Sequence, residues 1–389
     1  MKWNLFRNTN QGIICSILAL IAVGSINIFS ASYISAQMQF GSSLMFFQRQ
    51  LISAIIGMVV LVVASGFDYR RTRKFVFYGG IGVLLLLVLT ACFGITEGGA
   101  RRWLQIGIIF QPSELAKIAA VFLAADSIYK QRRVGNSISI KDKELGLVML
   151  MGALVYKQPD MGTAAIIVAI ALAIYVVGGM SLKVIAWLCG AGGIGVCYLA
   201  MSASYRMERI KSWLDPWAYK IDEGYQAVQA QVAIGTGGFT GMGWGSGMSK
   251  FFYLPEAHTD FAFAMFCQEW GFLFTILFII VPFVFFTQQG IRIACRTEEI
   301  YGKMLAFGLT LLISGQALAN MLMVMGVLPV IGVPLPFVSY GGTSLVINMA
   351  CVGVLMNIGR QTKKRLAKQR AAENPSGGLK LVSPDSGVN

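Results

Sequence analysis

Apolar residues in this chain come in long unbroken runs rather than in alternation. Ten runs stand out, at about 12–34, 46–65, 75–96, 112–129, 144–157, 160–178, 182–201, 262–287, 301–327 and 341–360. Most approach the length of about 20 residues that a helix needs to cross the hydrocarbon core of a bilayer. Strands of a membrane barrel would instead alternate apolar and polar positions over about ten residues. The pattern therefore predicts an all-α polytopic membrane protein with about ten transmembrane helices. The first run is too long for the core of a cleaved signal peptide and is followed by many more, so it reads as a retained helix.

The polar segments between the runs set the orientation. Arg70, Arg71, Arg73 and Lys74 follow the second run, and Lys130, Arg132, Arg133, Lys141 and Lys143 follow the fourth. Lys183 follows the sixth, and Arg292, Arg296 and Lys303 the eighth. With ten spans, these residues, the N-terminal Lys2 and Arg7, and the basic cluster from Arg360 to Arg370 all fall on one side. Basic loops mark the cytoplasmic side, so both termini are expected there. The opposite side then carries one large extracytoplasmic loop, about 202–261, between helices seven and eight. Residues 1–360 form the transmembrane domain in this reading. Residues 361–389, basic and then rich in Pro, Gly and Ser, are expected to be a disordered cytoplasmic tail.

Composition narrows the class further. The chain has 389 residues, 56% hydrophobic and only 13% charged, about half the charged fraction of a soluble protein. The net charge of +14 does not indicate a nucleic-acid partner, because the basic residues are divided among loops rather than gathered on one face. Seven cysteines are scattered with no Cys-x-x-Cys pair, which favours inert packing over a metal or disulfide framework.

Candidate chemistry gathers where the large loop meets the eighth run. Residues 250–272, KFFYLPEAHTDFAFAMFCQEWGF, carry Glu256, His258 (the only histidine), Asp260 and Glu269. Ionisable groups at the mouth of a membrane segment mark a cavity or an aqueous boundary. Asp260 is a candidate general base, and Glu256 four residues earlier is a second carboxylate able to raise its pKa. His258 reads as a scaffold, and a lone histidine makes no metal cluster. At the start of the fourth run, Glu114 and Lys117 lie three apart on one helix face, either as a structural ion pair or as a charged cavity wall. Lys157 and Asp160 sit in the tight Lys157-Gln158-Pro159-Asp160 connection, where Asp160 can cap a helix and also face a site. Arg102, beside Trp103, suits an interfacial anchor or a diphosphate grip. Ser339 lies in a segment with three prolines, 329–343, that cannot continue a helix. Residues 235–247 hold seven glycines in thirteen positions, either a flexible connector or a backbone that approaches a substrate closely or moves as a lid.

The motifs GARRW, QPSELAK, KQPDMGT, LDPW, YLPEAHTDF and PLPFVSYGGTS, taken together and in this order, resemble the SEDS proteins (shape, elongation, division and sporulation) over residues 10–360. YLPEAHTDF and LDPW resemble the FtsW-like branch more than the elongation branch. The resemblance implies a peptidoglycan glycosyltransferase of cell division that polymerises lipid II, the undecaprenyl-diphosphate disaccharide-pentapeptide. It implies a multi-pass protein of the bacterial cytoplasmic membrane, with the active site facing outside. It puts the essential aspartate on Asp260, and it puts substrate-binding positions on Glu114, Lys117 and Asp160 and on the motif residues Glu256 and His258. Arg102, Lys157 and Ser339 complete the expected substrate-binding set. A class B penicillin-binding protein (a transpeptidase) and other divisome proteins are the implied partners. No resident metal is expected, although a divalent cation, Mg or Mn, suits the lipid diphosphate. Where the family commonly has Glu-Glu-x-Gly, this chain has Gln268-Glu269-Trp270-Gly271. A lipid II flippase and a non-catalytic scaffold for a transpeptidase are the rival readings.

Overall fold

A computed structural model describes residues 9–373 apart from 98, 99, 136, 141, 202, 203, 223, 252 and 253. Two helices, α1 (Thr9–Phe40) and α2 (Met45–Gly66), are followed by a one-turn α3 (Tyr69–Thr72) and by α4 (Val76–Phe93). After three short strands come α5 (Pro112–Arg133), α6 (Lys143–Lys157), α7 (Met161–Val177) and α8 (Leu182–Met201). The large loop contains α9 (Ser204–Leu214) and α10 (Tyr225–Gly237). The chain ends with α11 (Ala262–Thr275), α12 (Val281–Arg296), α13 (Ile300–Val324) and α14 (Gly342–Glu373). Among the described residues, six helical stretches are long and apolar enough to cross a membrane: 9–40, 45–66, 76–93, 262–296, 300–324 and 342–369. α5 to α8 occupy the four remaining apolar runs of the sequence.

The centre of the bundle is built from small residues. Ala116, Ala120 and Ala124 of α5 are essentially inaccessible, and α5 packs on both α7 and α13. A Cβ on Gly308 of α13 would sit 2.6 Å from Val121 and 2.7 Å from Ile174. Lipid offers no hydrophobic drive between helices, so close backbone approach at such residues supplies the packing.

Three features depart from the sequence expectations. First, the chain is not wholly helical. β1 (Ile95–Glu97), β2 (Ala100–Ile106) and β3 (Ile108–Phe110) form an antiparallel sheet in the order β1-β2-β3. Gly107, with φ +72°, turns β2 into β3 and brings Ile106 opposite Ile108. The third apolar run therefore ends as helix at Phe93, and Arg102 stands on a strand. Second, α14 continues to Glu373, so residues expected in the disordered tail extend a membrane helix beyond Arg360. Residues 374–389 lie outside the described part.

Third, the eighth run is broken. Gly271 has φ +75° and ψ −178°, which interrupts the helical ladder, and a π-turn (Ile276–Ile280) joins α11 to α12. The glycine-rich segment repairs the break. Met242 and Gly243 donate their N–H groups to the carbonyls of Gln268 and Glu269, both at 3.0 Å. Phe272 and Leu273 donate back to Gly238 (3.0 Å) and Phe239 (3.1 Å). Such pairing is obligatory for backbone that is buried away from water. It needs glycine, because a Cβ on Gly241 would lie 2.2 Å from the Glu269 carbonyl oxygen. The segment thus straps the break in the eighth run. Lys250 reinforces it by reaching Glu269 at 3.1 Å while Ser30 of α1 donates to both Glu269 oxygens at 2.7 Å.

Charge is segregated between the two ends of the bundle. At the basic end, Asp126 pairs with Arg73 (3.2 Å) and Lys130 (2.7 Å), Lys130 with Glu144 (2.7 Å), and Arg70 with Glu299 (2.8 Å). The segment around Asp260 lies at the other end.

Candidate active site

Four segments converge at the end remote from the basic cluster. These are β2, the α6–α7 connection, the turn before α11 and the irregular stretch between α13 and α14. The turn before α11 is short and tightly bonded. Thr259 and Phe261 both donate N–H groups to the Glu256 carbonyl, at 3.1 and 3.2 Å. Glu256 itself has φ +55°, a left-handed conformation that is uncommon for a residue with a side chain. The Thr259 hydroxyl donates to its carboxylate at 2.6 Å. Glu256 is exposed, while Asp260 next to the helix is partly buried.

Burial pushes the Asp260 carboxyl up to about 7, with the charges of Glu256 and Asp160 adding to the rise and the Arg102 guanidinium opposing it. Burial also raises the Asp160 carboxyl, against the nearby positive charge of Arg102. A carboxylate whose pKa is raised by burial, beside a second carboxylate and a fixed cation, is a candidate for proton exchange. Arg102 is anchored by donating to the carbonyls of Gln158 (3.2 Å) and Pro159. Asp160 caps α7 by accepting from the Thr163 N–H at 3.1 Å, and its other oxygen accepts from Gln111 at 3.3 Å. The cap and the site are thus the same residue.

The family model of the FtsW, RodA and SpoVE cell cycle proteins matches residues 11–364. The chain belongs to this family. Curated relatives include a probable peptidoglycan glycosyltransferase FtsW from Geobacter sp. strain M18, 38% identical, with the match covering 87% of this chain and 93% of that protein. Stage V sporulation protein E of Bacillus subtilis is 37% identical over 89% of this chain and 95% of its own length. Among solved structures, a chain from a study of polymerisation and crosslinking by a peptidoglycan synthase complex aligns with TM-score 0.75 at 23% identity, covering 90% of this chain and 97% of that one. The rod shape determining protein RodA of Thermus thermophilus aligns with TM-score 0.65 at 21% identity, over 90% of this chain and 96% of its own. At these identities the structures establish the fold, that of a multi-pass membrane protein.

The remaining positions take different places within this FtsW/RodA/SpoVE fold. Glu114 and Lys117 pair at 2.7 Å inside the bundle, with side chains only 6% and 4% exposed. Lys117 also donates to Gln316 at 2.7 Å, and Gln316 donates to the Pro334 carbonyl at 3.0 Å. Their link to Asp260 therefore runs through α13 and the proline-rich stretch. His258 is held by packing, its ring 4.7 Å from that of Phe46 and 5.8 Å from that of Tyr340. Burial lowers its pKa, against the charge of Glu256. Ser339 accepts from the Leu335 N–H at 2.9 Å and fixes the turn before α14. Lys157 is exposed at the end of α6. Among the described residues, no group of three or more His, Cys, Asp or Glu side chains is placed to hold a metal ion.

Sequence reading missed Gln111, Gln316, Asn27 and Asn320. The last three are buried amides within long apolar runs. Their signal was available, because polar side chains at membrane depth are there for a reason. That signal is weaker than a charge, because an uncharged amide barely lowers the hydropathy of the run around it.

Proposed function

We propose that this chain polymerises lipid II into glycan strands at the outer face of the bacterial cytoplasmic membrane during cell division, with Asp260 as general base. The observation that carries the reading is the placement of Asp260 at the mouth of the bundle, partly buried, facing the Gly332 backbone and within electrostatic reach of Arg102 and Asp160, where burial raises its pKa. The peptidoglycan glycosyltransferase names of the relatives, at 35–38% identity over most of the chain, support the activity. The basic residues at the opposite end support the orientation, since basic loops stay in the cytoplasm.

The chemistry follows from the groups present. The acceptor sugar hydroxyl must lose its proton as its oxygen attacks the anomeric carbon of the donor strand. A carboxylate with pKa near 7 is both substantially ionised at neutral pH and basic enough to take that proton. The bond that breaks joins the anomeric carbon to a lipid diphosphate, which leaves without protonation, so one base suffices. Attack opposite the leaving group turns an α-linked donor into a β-linked product. The transition state has oxocarbenium character, and the departing diphosphate needs fixed positive charge. Arg102 suits that role because two backbone carbonyls already hold its guanidinium. Lys117 serves from within, neutralising Glu114 and bracing the site. A divalent cation arriving with the diphosphate would add to the charge compensation. A class B penicillin-binding protein would crosslink the strands produced, with divisome proteins directing where this happens.

The test is purified protein with labelled lipid II, scored for glycan polymer by gel and, in liposomes, for lipid II translocation. Polymer formation without obligatory translocation is the expected result. Translocation without polymer would make the chain a flippase, and neither activity, with transpeptidase binding intact, would make it a scaffold.

A further inference from the structure

Two asparagines from different helices grip the backbone around Asp260. Asn320 of α13 donates its side-chain amide to the Asp260 carbonyl at 2.7 Å and to the Val333 carbonyl at 2.7 Å. Asn27 of α1 donates to the Ala262 carbonyl at 2.8 Å. Both side chains are almost inaccessible, at 0% and 1% exposure. In each, the Oδ1 atom has no hydrogen-bond partner among the described residues. An apolar residue at either place would avoid burying that unmatched oxygen. Retaining an amide there makes sense for the sake of its N–H donors. Moreover, both amides are aimed at the segment that carries the candidate base rather than at each other.

Asn320 does more than hold one turn. Val333 follows Gly332, a glycine at φ +63° whose Cβ, if present, would lie 3.5 Å from Asp260 Oδ2. Ile331, one residue earlier, packs so tightly on α7 that a Cβ on Gly162 would sit 2.3 Å from its carbonyl oxygen. One amide therefore sets the Asp260 turn against the strand of backbone that its carboxyl faces, and through it against the start of α7, where Asp160 lies. Asn27 fixes the same turn from the α1 side, one residue into α11. Gln316, one turn before Asn320, clasps the neighbouring Pro334 carbonyl and ties in Lys117.

We propose that Asn320 and Asn27 are positioning residues for glycosyl transfer, a clamp from two helices that fixes where the Asp260 carboxyl sits relative to Asp160, Arg102 and the acceptor hydroxyl. The proposal rests on Asp260 acting as the base. Neither asparagine touches the reacting atoms; each acts through the backbone carbonyl it holds. Because a misplacement of about 1 Å at a reacting group can cost about a hundredfold in rate, fixing the carbonyls on either side of it is consequential.

The experiment compares Asn320→Leu and Asn27→Leu, each similar in size but without donors, with wild type and Asp260→Asn in lipid II polymerisation. Rates are taken as kcat and KM across pH, with thermal unfolding in detergent confirming the fold. Each variant should lose about ten- to a hundredfold in kcat with KM nearly unchanged. A loosened carboxyl also gains access to water, so the acid limb of the rate profile should move down by about one pH unit, towards an ordinary carboxylate. A purely structural role would lower the melting temperature without moving that limb. If either variant fails to fold, the other tests the same clamp from the other helix. Normal kcat and an unmoved limb in a folded variant overturn the clamp. Polymerisation by Asp260→Asn at the wild-type rate overturns the base assignment, and the clamp with it, however the asparagine variants behave.

Discussion

Replacing Lys250 by methionine should loosen the strap that fills the break in α11. The Lys250 ammonium is 3.1 Å from Glu269, with side chains 8% and 1% exposed. It also donates to the Gly245 carbonyl and, at 3.5 Å, reaches Ser30. Removing it leaves the buried Glu269 carboxylate with the Ser30 hydroxyl as its remaining hydrogen-bond partner among the described residues. Breaking a buried pair from one side typically costs about 3–5 kcal/mol, whereas replacing both partners with apolar residues is often close to neutral. Lys250→Met should therefore lower the melting temperature in detergent by on the order of 5–10 °C and expose residues 240–250 to proteolysis. The double variant Lys250→Met/Glu269→Leu should recover more than half of that loss. The measurement is a thermal melt of the four proteins of the cycle, paired with limited proteolysis read by mass spectrometry. If Lys250→Met melts within about a degree of wild type, or if the double variant is no better than the single one, the strap is not held by this pair.

Further outcomes follow from the same geometry. Polymerisation should rise with pH through an acid limb near 7, because the base is active only when Asp260 has lost its proton; a rate flat from pH 5 to 8 contradicts this, the range being chosen around the ordinary and raised carboxylate values. Arg102→Ala removes the positive charge that opposes the rise, so that limb should move to higher pH, opposite in sign to the asparagine variants, as a pH–rate comparison will reveal. Gly271→Ala places a Cβ 2.2 Å from the Gly241 nitrogen at a φ of +75°; it should destabilise the protein by more than about 2 kcal/mol and lower its yield and melting temperature. Glu114→Leu leaves Lys117 buried with Gln316 as its remaining hydrogen-bond partner among the described residues, which should cost about 3 kcal/mol in a denaturation assay.

The helical frame was legible because bilayer physics leaves few choices: a continuous apolar run must satisfy its backbone internally, as a helix does. Each of the ten runs is occupied by helix. The exceptions trace to residues that a hydropathy pattern does not weigh. Gly271 reads as one more small residue in an apolar run, yet its left-handed conformation breaks α11 and calls in the glycine-rich strap. Residues 95–110 mix Arg, Trp and Ile without a clear period, so the strand bearing Arg102 was hidden. α14 runs on past Arg360 to Glu373, where the basic composition suggested a disordered tail; Lys, Arg, Gln, Ala and Leu, which make up most of this extension, are all good helix formers.

The site was partly legible. Asp260, Glu256, Asp160 and Arg102 stand out in the sequence by their charge at the mouths of apolar segments, and they share one electrostatic neighbourhood. What the sequence concealed is the division of labour. Of the two sequence readings of Glu114 and Lys117, ion pair or cavity wall, the fold shows the pair, which also reaches the proline-rich stretch through Gln316. Ser339 and His258 hold turns and rings in place. Asn27 and Asn320 lie far from Asp260 along the chain, so only the packing of α1 and α13 reveals that both hold the same turn.

The central claim is that the Asp260 carboxylate takes the proton in glycosyl transfer, and its most direct test is the polymerisation rate of Asp260→Asn with purified lipid II. The amide keeps the shape of the side chain but takes no proton. A folded, membrane-inserted variant should turn over at least about a thousandfold more slowly than wild type, at the upper end of what positioned acid–base groups contribute. A folded Asp260→Asn enzyme that forms glycan polymer at close to the wild-type rate would contradict the account.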